Sequence, residues 1–520
     1  MSRAPLLVSL AAILVLTLTP ALMFRGETVD GSQGTLIVLT PHNEQIRYEF
    51  SRGFSNWHAK KYGHPVGIAW STPGGTTEIR RMLVAQYEAD LRHGTAIGGD
   101  SDILFGGGSY EFHALTRPIT AMRAGKEVST TILEPCEWLT PEKLAELYGE
   151  NSLDGQPIYD SQCRWFGAAL STFGIVSNAS LCDHLGVAPP ETWEELADPR
   201  LLGSVALVNP AQSGSIATAF ETILQRLGWV RGWQVLRRAA ANSNQILAAS
   251  SRIPTAVGNG ESAAGVAIDF YGRYQAQALA DEAQEAGDPS IARLQFLAPR
   301  SESVIDADPV AVLRGAPNRE LAHHFVEYCL SMEGQMLWQL PHGEGDACGY
   351  PRPELYSLRR LPARRAAYAC CEPCFVDKVN PTIDQVPMVA NPNFRDFVSP
   401  IFVSMAINQG DLLANAWKRI LAHPAYPQGG DIVTAELVTD PQLKQWLSAF
   451  DAMPTVAAPD NGSLDLADPA QLGAIRAGWL KGGFKDRNLW SARDEPGRVL
   501  RRNFTDFFEE RYSSIVDSPG

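Results

Sequence analysis

The first third of the chain alternates short apolar runs with amphipathic stretches. The runs Thr35–Leu39, Gly67–Trp70 and Asp102–Phe105 predict strands that are buried on both faces. Between these runs, apolar residues recur at the three- and four-residue spacing of one helix face, at Ile46, Phe50, Phe54 and Trp57 and then at Ile79, Met82, Leu83 and Tyr87. This order of strand, helix, strand, helix, strand predicts a parallel α/β sheet.

The same pattern returns in the middle of the chain. Val205–Val208 predicts a buried strand, and an amphipathic helix is predicted from apolar positions at Ile216, Ala219, Phe220, Ile223, Leu224 and Leu227. Between strand and helix, Ser213-Gly214-Ser215 puts a capping hydroxyl and unpaired backbone N–H groups at the positive end of the helix. Such a turn suits an anion or a polar head group. On this turn alone, a purely structural helix cap is the simpler interpretation.

Two more uncharged or apolar segments, Ala168–Val176 and Asp308–Leu313, bracket a complete α/β unit. The first is long enough to pass from one lobe to another, and the second to return. We therefore predict two lobes with separate sheets around a cleft, with residues 34–170 and 308–345 in the first lobe and residues 171–307 in the second. Residues 346–520 are predicted to form a mainly helical extension. Its helices are expected to cover the first lobe, and a docking surface is the alternative.

At the N-terminus, Arg3 precedes twenty uncharged residues, Pro5 to Phe24. This run is long for the apolar core of a signal peptide and just long enough to span a bilayer. Residues 1–33 are thus predicted to be either a signal peptide or a membrane anchor with its linker. Both interpretations put the rest of the chain outside the cytoplasm.

Composition narrows the choice of partner. With 45% hydrophobic and 20% charged residues the chain is ordinary for a globular protein. The net charge of −14 disfavours a nucleic acid or an anionic membrane surface as partner, because both require a basic face. The eight cysteines are compatible with disulfides outside the cytoplasm, in a connectivity that spacing leaves open.

Six segments between Leu36 and Leu340 resemble, in order, the periplasmic solute-binding proteins of ABC importers, in the branch with ferric-ion, phosphonate and sugar-phosphate binders. They are LIVLTPHNE, SDILFGGG, RWFGAALSTFGIVSN, LVNPAQSGS, AVGNGESAAGVAIDFY and DPVAVLRGAPNRELAHHFVEYCLSMEGQ. The resemblance implies a type II fold, in which two α/β lobes close over a ligand by a hinge. It implies solute capture without catalysis or a cofactor, and delivery to permease and ATPase subunits. An anchored ligand-sensing ectodomain of the same fold is the alternative.

The ligand is expected at the carboxyl ends of the predicted strands, as in open α/β sheets. Candidate residues on the first lobe are Thr40, His42, Gly75, Thr76, Gly107 and Gly108. Candidates on the second lobe are Ser213, Gly214, Ser215, Ser251, Arg252, Asp269 and Tyr271. The resemblance implies that the segment with Ser251 and Arg252 supplies further anion contacts.

Two departures from the ferric-ion pattern bear on the ligand. Phe270 stands where the resemblance implies the first of two adjacent tyrosines, and Gly107 where it implies a carboxylate. Because Fe(III) prefers several hard anionic oxygens, iron is the runner-up. We expect the ligand to be a phosphate or phosphonate ester. Arg252 and the Ser213 turn are expected to bind its anionic group, Asp269 to accept hydrogen bonds from its hydroxyls, and Tyr271 to donate a hydrogen bond to it or stack on it. For Arg252 the structural alternative is a surface salt bridge, and for Asp269 it is a hinge-side cap.

Overall fold

The computed structural model describes residues 34–383, 386, 388, 390–458, 462–483 and 496–518. The predicted signal peptide or anchor, residues 1–33, lies outside the described residues. Within the described ranges no single helix has the length and apolar character of a membrane span, although one bent helix pair, Phe394–Ile407 with Gly410–Leu421, meets both criteria.

The strands of the described residues fall into one large sheet and three small hairpins. They are β1 (Thr35–Leu39), β2 (Gly67–Ser71), β3 (Ile103–Phe105), β4 (Ile119–Arg123), β5 (Lys126–Thr130), β6 (Leu133–Glu134), β7 (Phe166–Asn178), β8 (Val205–Val208), β9 (Ser243–Leu247), β10 (Ala264–Ile268), β11 (Leu294–Leu297), β12 (Ile305–Leu313), β13 (Asp346–Ala347), β14 (Tyr350–Pro351), β15 (Leu361–Pro362), β16 (Thr455–Ala457) and β17 (Ser463–Asp465).

Helices surround the sheet and make up most of the C-terminal part. They are α1 (Glu44–Tyr62), α2 (Thr76–His93), α3 (Ser109–Leu115), α4 (Pro141–Tyr148), α5 (Ala179–His184), α6 (Gly214–Leu227), α7 (Trp229–Ala241), α8 (Ile253–Gly258), α9 (Asp269–Ala286), α10 (Arg319–Leu330), α11 (Met332–Met336), α12 (Arg365–Cys371), α13 (Phe394–Phe402), α14 (Gly410–Leu421), α15 (Pro441–Asp451), α16 (Leu472–Ile475) and α17 (Pro496–Val516). A π-helical turn, Val403–Ile407, follows α13.

The main sheet follows the strand order β2-β1-β3-β12-β7-β10-β8-β9. In its first half β1 pairs in parallel with β2 and β3, and in its second half β8 pairs in parallel with β10 and β9. Residues 166–172 of β7 pair with β12, while residues 173–178 pair with β10 and β11. The two sheets that we predicted to be separate are therefore joined, because the thirteen-residue strand β7 belongs to both halves. The predicted domain bounds stay a prediction.

The apolar faces predicted from periodicity are largely buried. On α1, Phe50 and Phe54 are fully buried and both contact the ring of Phe325 from α10. On α2, Met82 departs from the prediction because it is exposed, whereas the residues at the expected spacing around it are buried, namely Ile79, Leu83 and Tyr87. The helices of the first half thus bury the apolar faces that the residue spacing predicted.

The extension begins on the first half of the molecule. The carboxylate of Glu49 on α1 accepts hydrogen bonds from three consecutive backbone N–H groups, those of Glu354, Leu355 and Tyr356, at 2.7–2.8 Å. A disulfide between Cys348 and Cys374 closes this part of the chain. Among the described residues the other cysteines are free thiols.

Most of the extension packs on the second half, which differs from our expectation that it covers the first lobe. α13 packs on α6, and α14 on α7. Arg238 of α7 is fully buried and donates to both carboxylate oxygens of Asp451, at 2.6 and 2.9 Å. Its neighbour Arg237 is also buried and donates to the carbonyl groups of Phe450 and Ala452. Buried guanidinium groups require such partners, so the extension and α7 form one packed unit.

We expect Asp451→Ala to lower the free energy of unfolding by about 3–5 kcal/mol, because it leaves the charge of Arg238 buried without its carboxylate. Urea unfolding followed by circular dichroism measures the change. The control is Glu354→Ala, which removes the partner of Arg52 in a half-exposed pair and should cost less than about 1 kcal/mol. Equal losses in the two variants would contradict a structural role for the buried pair.

Candidate functional site

A cavity of about 420 Å³ lies between the two halves of the molecule, at the carboxyl ends of the parallel strands. The crossing strands contribute to its wall through Ser171 and Phe173 of β7 and through Asp306 and Asp308 of β12. Sites for small molecules commonly have volumes of about 300–1,000 Å³. The cavity is therefore the candidate binding site.

Two helix N-termini meet across this cavity. α2 begins at Thr76 with Gly75 as its N-cap, and α6 begins at Gly214 with Ser213 as its N-cap. A Cβ atom on Gly75 would lie 2.7 Å from the backbone carbonyl oxygen of Gln212, and one on Gly214 would overlap Thr76 Oγ1. Glycine at both positions allows the two halves to approach here. As a result, two helix starts border one space, and the start of α2 also carries the carboxylate of Glu78, which accepts from the Gly75 N–H at 3.0 Å.

Hydroxyl groups line the cavity beside these helix starts. Ser213 Oγ lies 3.1 Å from Ser215 Oγ, which lies 3.3 Å from Ser250 Oγ. Across from them, Thr76 Oγ1 is buried and has no hydrogen-bond partner among the described residues. A bound polar group would satisfy this hydroxyl, which is otherwise a cost to the fold.

A buried ion cluster forms around Asp308. One of its oxygens accepts from the backbone N–H of Gly107 at 2.7 Å, and the other lies 2.7 Å from both His42 Nε2 and Arg360 Nη1. Burial by itself would raise the pKa of Asp308, but Arg360 and His42 outweigh burial and hold it well below its ordinary value. Burial lowers the pKa of His42 even though Asp308 opposes this. The pair is therefore a carboxylate beside a neutral imidazole at neutral pH.

Arg360 connects this cluster to the rest of the cavity. Its Nη2 donates to Ser171 Oγ at 2.7 Å, and its guanidinium lies 4.4 Å from the ring centre of Phe270. It is 2% exposed and lines the cavity. A planar cation held in this way presents a fixed set of N–H donors.

Asp306 is the second carboxylate that β12 contributes to the cavity wall. Its Oδ1 accepts from both the hydroxyl and the backbone N–H of Ser109. Burial raises the pKa of Asp306 to about 6, against the opposing effect of those hydrogen bonds. Burial in the cleft also raises the pKa of Tyr271 to about 12. The Tyr271 hydroxyl is thus a hydrogen-bond donor at neutral pH.

The structure brings most of the predicted site residues together on the cavity wall. Those that line the cavity are His42, Gly75, Thr76, Gly107, Gly108, Ser213, Gly214, Ser215, Ser251 and Tyr271. Their role in binding stays a prediction.

Three of the predicted residues do not line the cavity. Thr40 donates to the carbonyl of Phe105 at 2.7 Å and accepts from the N–H of His42 at 3.1 Å, so it supports the loop after β1. Arg252 is exposed at the start of α8, where solvent competes for its charge. Asp269 is fully buried at the start of α9 and accepts from the N–H of Phe270 at 2.8 Å, as expected of a carboxylate at a helix N-terminus.

Sequence reasoning missed the charged residues of the cavity. Asp306 and Asp308 alternate with apolar residues in a strand that is otherwise apolar. Carboxylates on one face of a buried strand were the available signal, because such groups require partners. Arg360 carried no comparable signal, since it lies in the extension and meets His42 across 318 residues of sequence.

Within the part of the chain that the structure describes, no group of three or more His, Cys, Asp or Glu residues is arranged to hold a metal ion. The oxygens of Asp308 are already engaged by His42, Arg360 and Gly107. Asp308, His42 and Arg360 are therefore engaged in hydrogen bonds and an ion pair with one another.

Comparison with known proteins gives one family match. Residues 126–343 match the family described as Bacterial extracellular solute-binding protein. The Phosphoglycerate transport regulatory protein PgtC of Salmonella typhimurium is 28% identical over 169 residues, which are 32% of this chain and 39% of that protein. An uncharacterized protein of Haemophilus influenzae is 30% identical over 166 residues, 32% of this chain and 44% of its own length. The match spans less than half of either relative.

The fold has a counterpart among solved structures. The periplasmic binding protein AfuA of Actinobacillus pleuropneumoniae, solved with exogenous fructose-6-phosphate bound, superimposes with a TM-score of 0.52 at 16% identity. The superposition covers 72% of this chain and 99% of that chain. The two-lobed α/β fold class predicted from the sequence is thereby confirmed.

We expect Gly75→Ala to push the two halves apart, because the added methyl group meets a backbone carbonyl and not a mobile side chain. Small-angle X-ray scattering should show a larger radius of gyration than in the unsubstituted protein. Gly410→Ala is the matched control, since no atom lies within 4 Å of the position of its Cβ. An unchanged radius in Gly75→Ala would contradict the close approach at this point.

Proposed function

We propose that this chain, which matches the bacterial extracellular solute-binding proteins over residues 126–343 and has their two-lobed fold, captures a small oxygen-rich anion in the cavity between its halves. The ligand class is a phosphate or phosphonate ester. The protein holds it outside the cytoplasm and delivers it to the permease and ATPase subunits of an ABC importer. The family is one of binding proteins, in agreement with our expectation that the chain is not an enzyme.

The meeting of the two helix N-termini is the observation that carries this proposal. Each helix start carries the equivalent of about half a positive charge and several N–H groups without intrahelical partners. Gly75 and Gly214 allow these two starts to touch each other beside one cavity, and Ser215 adds a hydroxyl beside them. Anions commonly bind at such positions. A site with two helix N-termini suits a phosphoryl or phosphonyl group, because its several oxygens can accept hydrogen bonds from both helix starts.

Backbone donors carry the recognition, because the described side chains that line the cavity supply one cation, Arg360, against the carboxylates of Glu78, Asp306 and Asp308. Arg360 is paired with Asp308, so it adds directed N–H groups and little net charge. Two relatives agree with an ester of phosphate as ligand. One is named for phosphoglycerate transport, and the other was solved with fructose-6-phosphate.

Ferric ion, the runner-up, has less support. Phe270 covers the guanidinium of Arg360 and supplies no phenol oxygen. Tyr271 is the one tyrosine among the described residues that line the cavity, so the wall offers a single phenol oxygen. The described part of the cavity wall offers no group of three metal-binding side chains.

Ligand sensing is a second candidate function, favoured by the printed name of one relative, a transport regulatory protein. A binding protein that serves a sensor uses the same cavity and reports its occupancy to a membrane-bound partner. The genes next to this one distinguish the roles. Permease and ATPase genes favour transport, and a sensor kinase gene favours regulation.

We expect Thr76→Val to weaken binding of glycerol phosphate by about ten- to a hundredfold, which corresponds to the loss of about 1.5–3 kcal/mol for a hydrogen bond to a charged group. The fold should tolerate the change, because Thr76 Oγ1 has no partner among the described residues. Titration calorimetry with glycerol phosphate, inorganic phosphate and ferric citrate measures the affinities.

The control variant is Arg252→Ala, since Arg252 is exposed and does not line the cavity. Its affinity for glycerol phosphate should equal that of the unsubstituted protein. Tight ferric binding that Tyr271→Phe abolishes would overturn the proposal in favour of iron, and unchanged affinity in Thr76→Val would remove the role of the α2 start.

A further inference from the structure

Asp306 stands at the boundary of two cavities. Besides the 420 Å³ cavity, it lines a second one of about 300 Å³ between α3 and α6. This second cavity, here called the side chamber, is lined by Tyr110, His113, Gln156, Thr218 and Glu221, among others. Both cavities lie between the two halves of the molecule, so a ligand against Asp306 borders on both.

One oxygen of Asp306 is free to contact a ligand. Asp306 is 6% exposed, and Oδ1 takes both hydrogen bonds from Ser109. Oδ2 has no hydrogen-bond partner among the residues that the structure describes. It lies 3.0 Å from the position that a Cβ on Gly108 would occupy, and Gly108 has φ +87°. The left-handed backbone and the missing side chain leave this oxygen unobstructed on that side.

The charges around Asp306 are mainly acidic. Glu221 in the side chamber is also a carboxylate, and burial raises its pKa. Arg395, whose charge lowers the pKa of Asp306 against the effect of burial, lies 3.5 Å from Glu221 and is shared with the Gly214 carbonyl and Glu111. On the other side of Asp306 the charge of Arg360 is already matched by Asp308. A second anionic group on the ligand would meet carboxylates here, whereas a hydroxyl group would find an acceptor.

We propose that the phosphate ester bound by this protein carries hydroxyl groups and no second acid at the end that lies against Asp306, and that Asp306 selects this class of ligand. The inference rests on the proposed function and sharpens it. The phosphoryl group lies at the starts of α2 and α6, and the hydroxylated carbon chain runs toward Asp306. Polyol and sugar monophosphates fit this description, while phosphorylated carboxylic acids such as phosphoglycerate do not.

The test compares fructose-6-phosphate, glycerol phosphate and phosphoglycerate by titration calorimetry at pH 7.5. The unsubstituted protein should bind the two hydroxylated esters about tenfold or more tightly than phosphoglycerate, because like charges at a buried contact are strongly unfavourable. Asp306→Asn should reduce this ratio by about tenfold, since it keeps an acceptor for Ser109 and removes the charge. Glu285→Gln, at an exposed acidic position on α9, should leave the ratio unchanged.

The outcomes separate this inference from the proposal on which it rests. If inorganic phosphate and all three esters fail to bind, the proposed function fails. If phosphoglycerate binds as tightly as the hydroxylated esters, or if Asp306→Asn leaves the ratio of their affinities unchanged, the inference about Asp306 is overturned while the proposed function stands. The comparison in the unsubstituted protein needs no variant, so the inference can fail even if Asp306→Asn does not fold.

Discussion

The carboxylate of Asp308 is the point on which the arrangement of this protein depends. It sits on β12, one of the two strands that cross between the halves, and binds His42 from the loop after β1 and Arg360 from the extension. Arg360 in turn reaches Ser171 on β7 and covers Phe270 at the start of α9. Three charged or polar groups from distant segments are thus buried together, and each is tolerated only because the others are present. Removing Asp308 would leave the charge of Arg360 without its carboxylate, and removing Arg360 would leave Asp308 with a neutral imidazole and one backbone N–H as its partners.

This cluster also explains how an acidic protein offers a site for anions. The net charge of −14 gives no long-range attraction for a phosphate. The cavity instead pairs its guanidinium with a carboxylate and presents backbone N–H groups, whose dipoles are fixed by the helices that carry them. Selectivity then comes from the number and direction of the donors and from the unpaired acceptors around them.

Apolar runs and helical periodicity predicted the strands β1, β2, β3 and β8 and the helices α1, α2 and α6. The rule that ligands bind at the carboxyl ends of parallel strands gave the position of the cavity. These features depend on short-range patterns, as in Val205–Val208 followed by the Ser213 turn. The length of β7 was underestimated, because an uncharged run does not mark where one pairing partner gives way to another. The charged residues of the cavity could not be predicted in the same way, because the contacts that bring them together join segments far apart in sequence. Arg360, for example, lies in a segment that shows no strand or helix pattern. Arg252 and Asp269 were assigned to the ligand site from their positions along the chain. Position does not determine where a side chain points, and neither residue lines the cavity.

The two buried arginines of α7 bear on the role of the extension. Arg237 and Arg238 lie inside the protein, with partners that the extension supplies. Without the extension both guanidinium groups would lose these partners, so α7 in this sequence requires the extension for its stability. Shorter proteins of this architecture are expected to carry uncharged residues at both positions, or arginines that reach solvent.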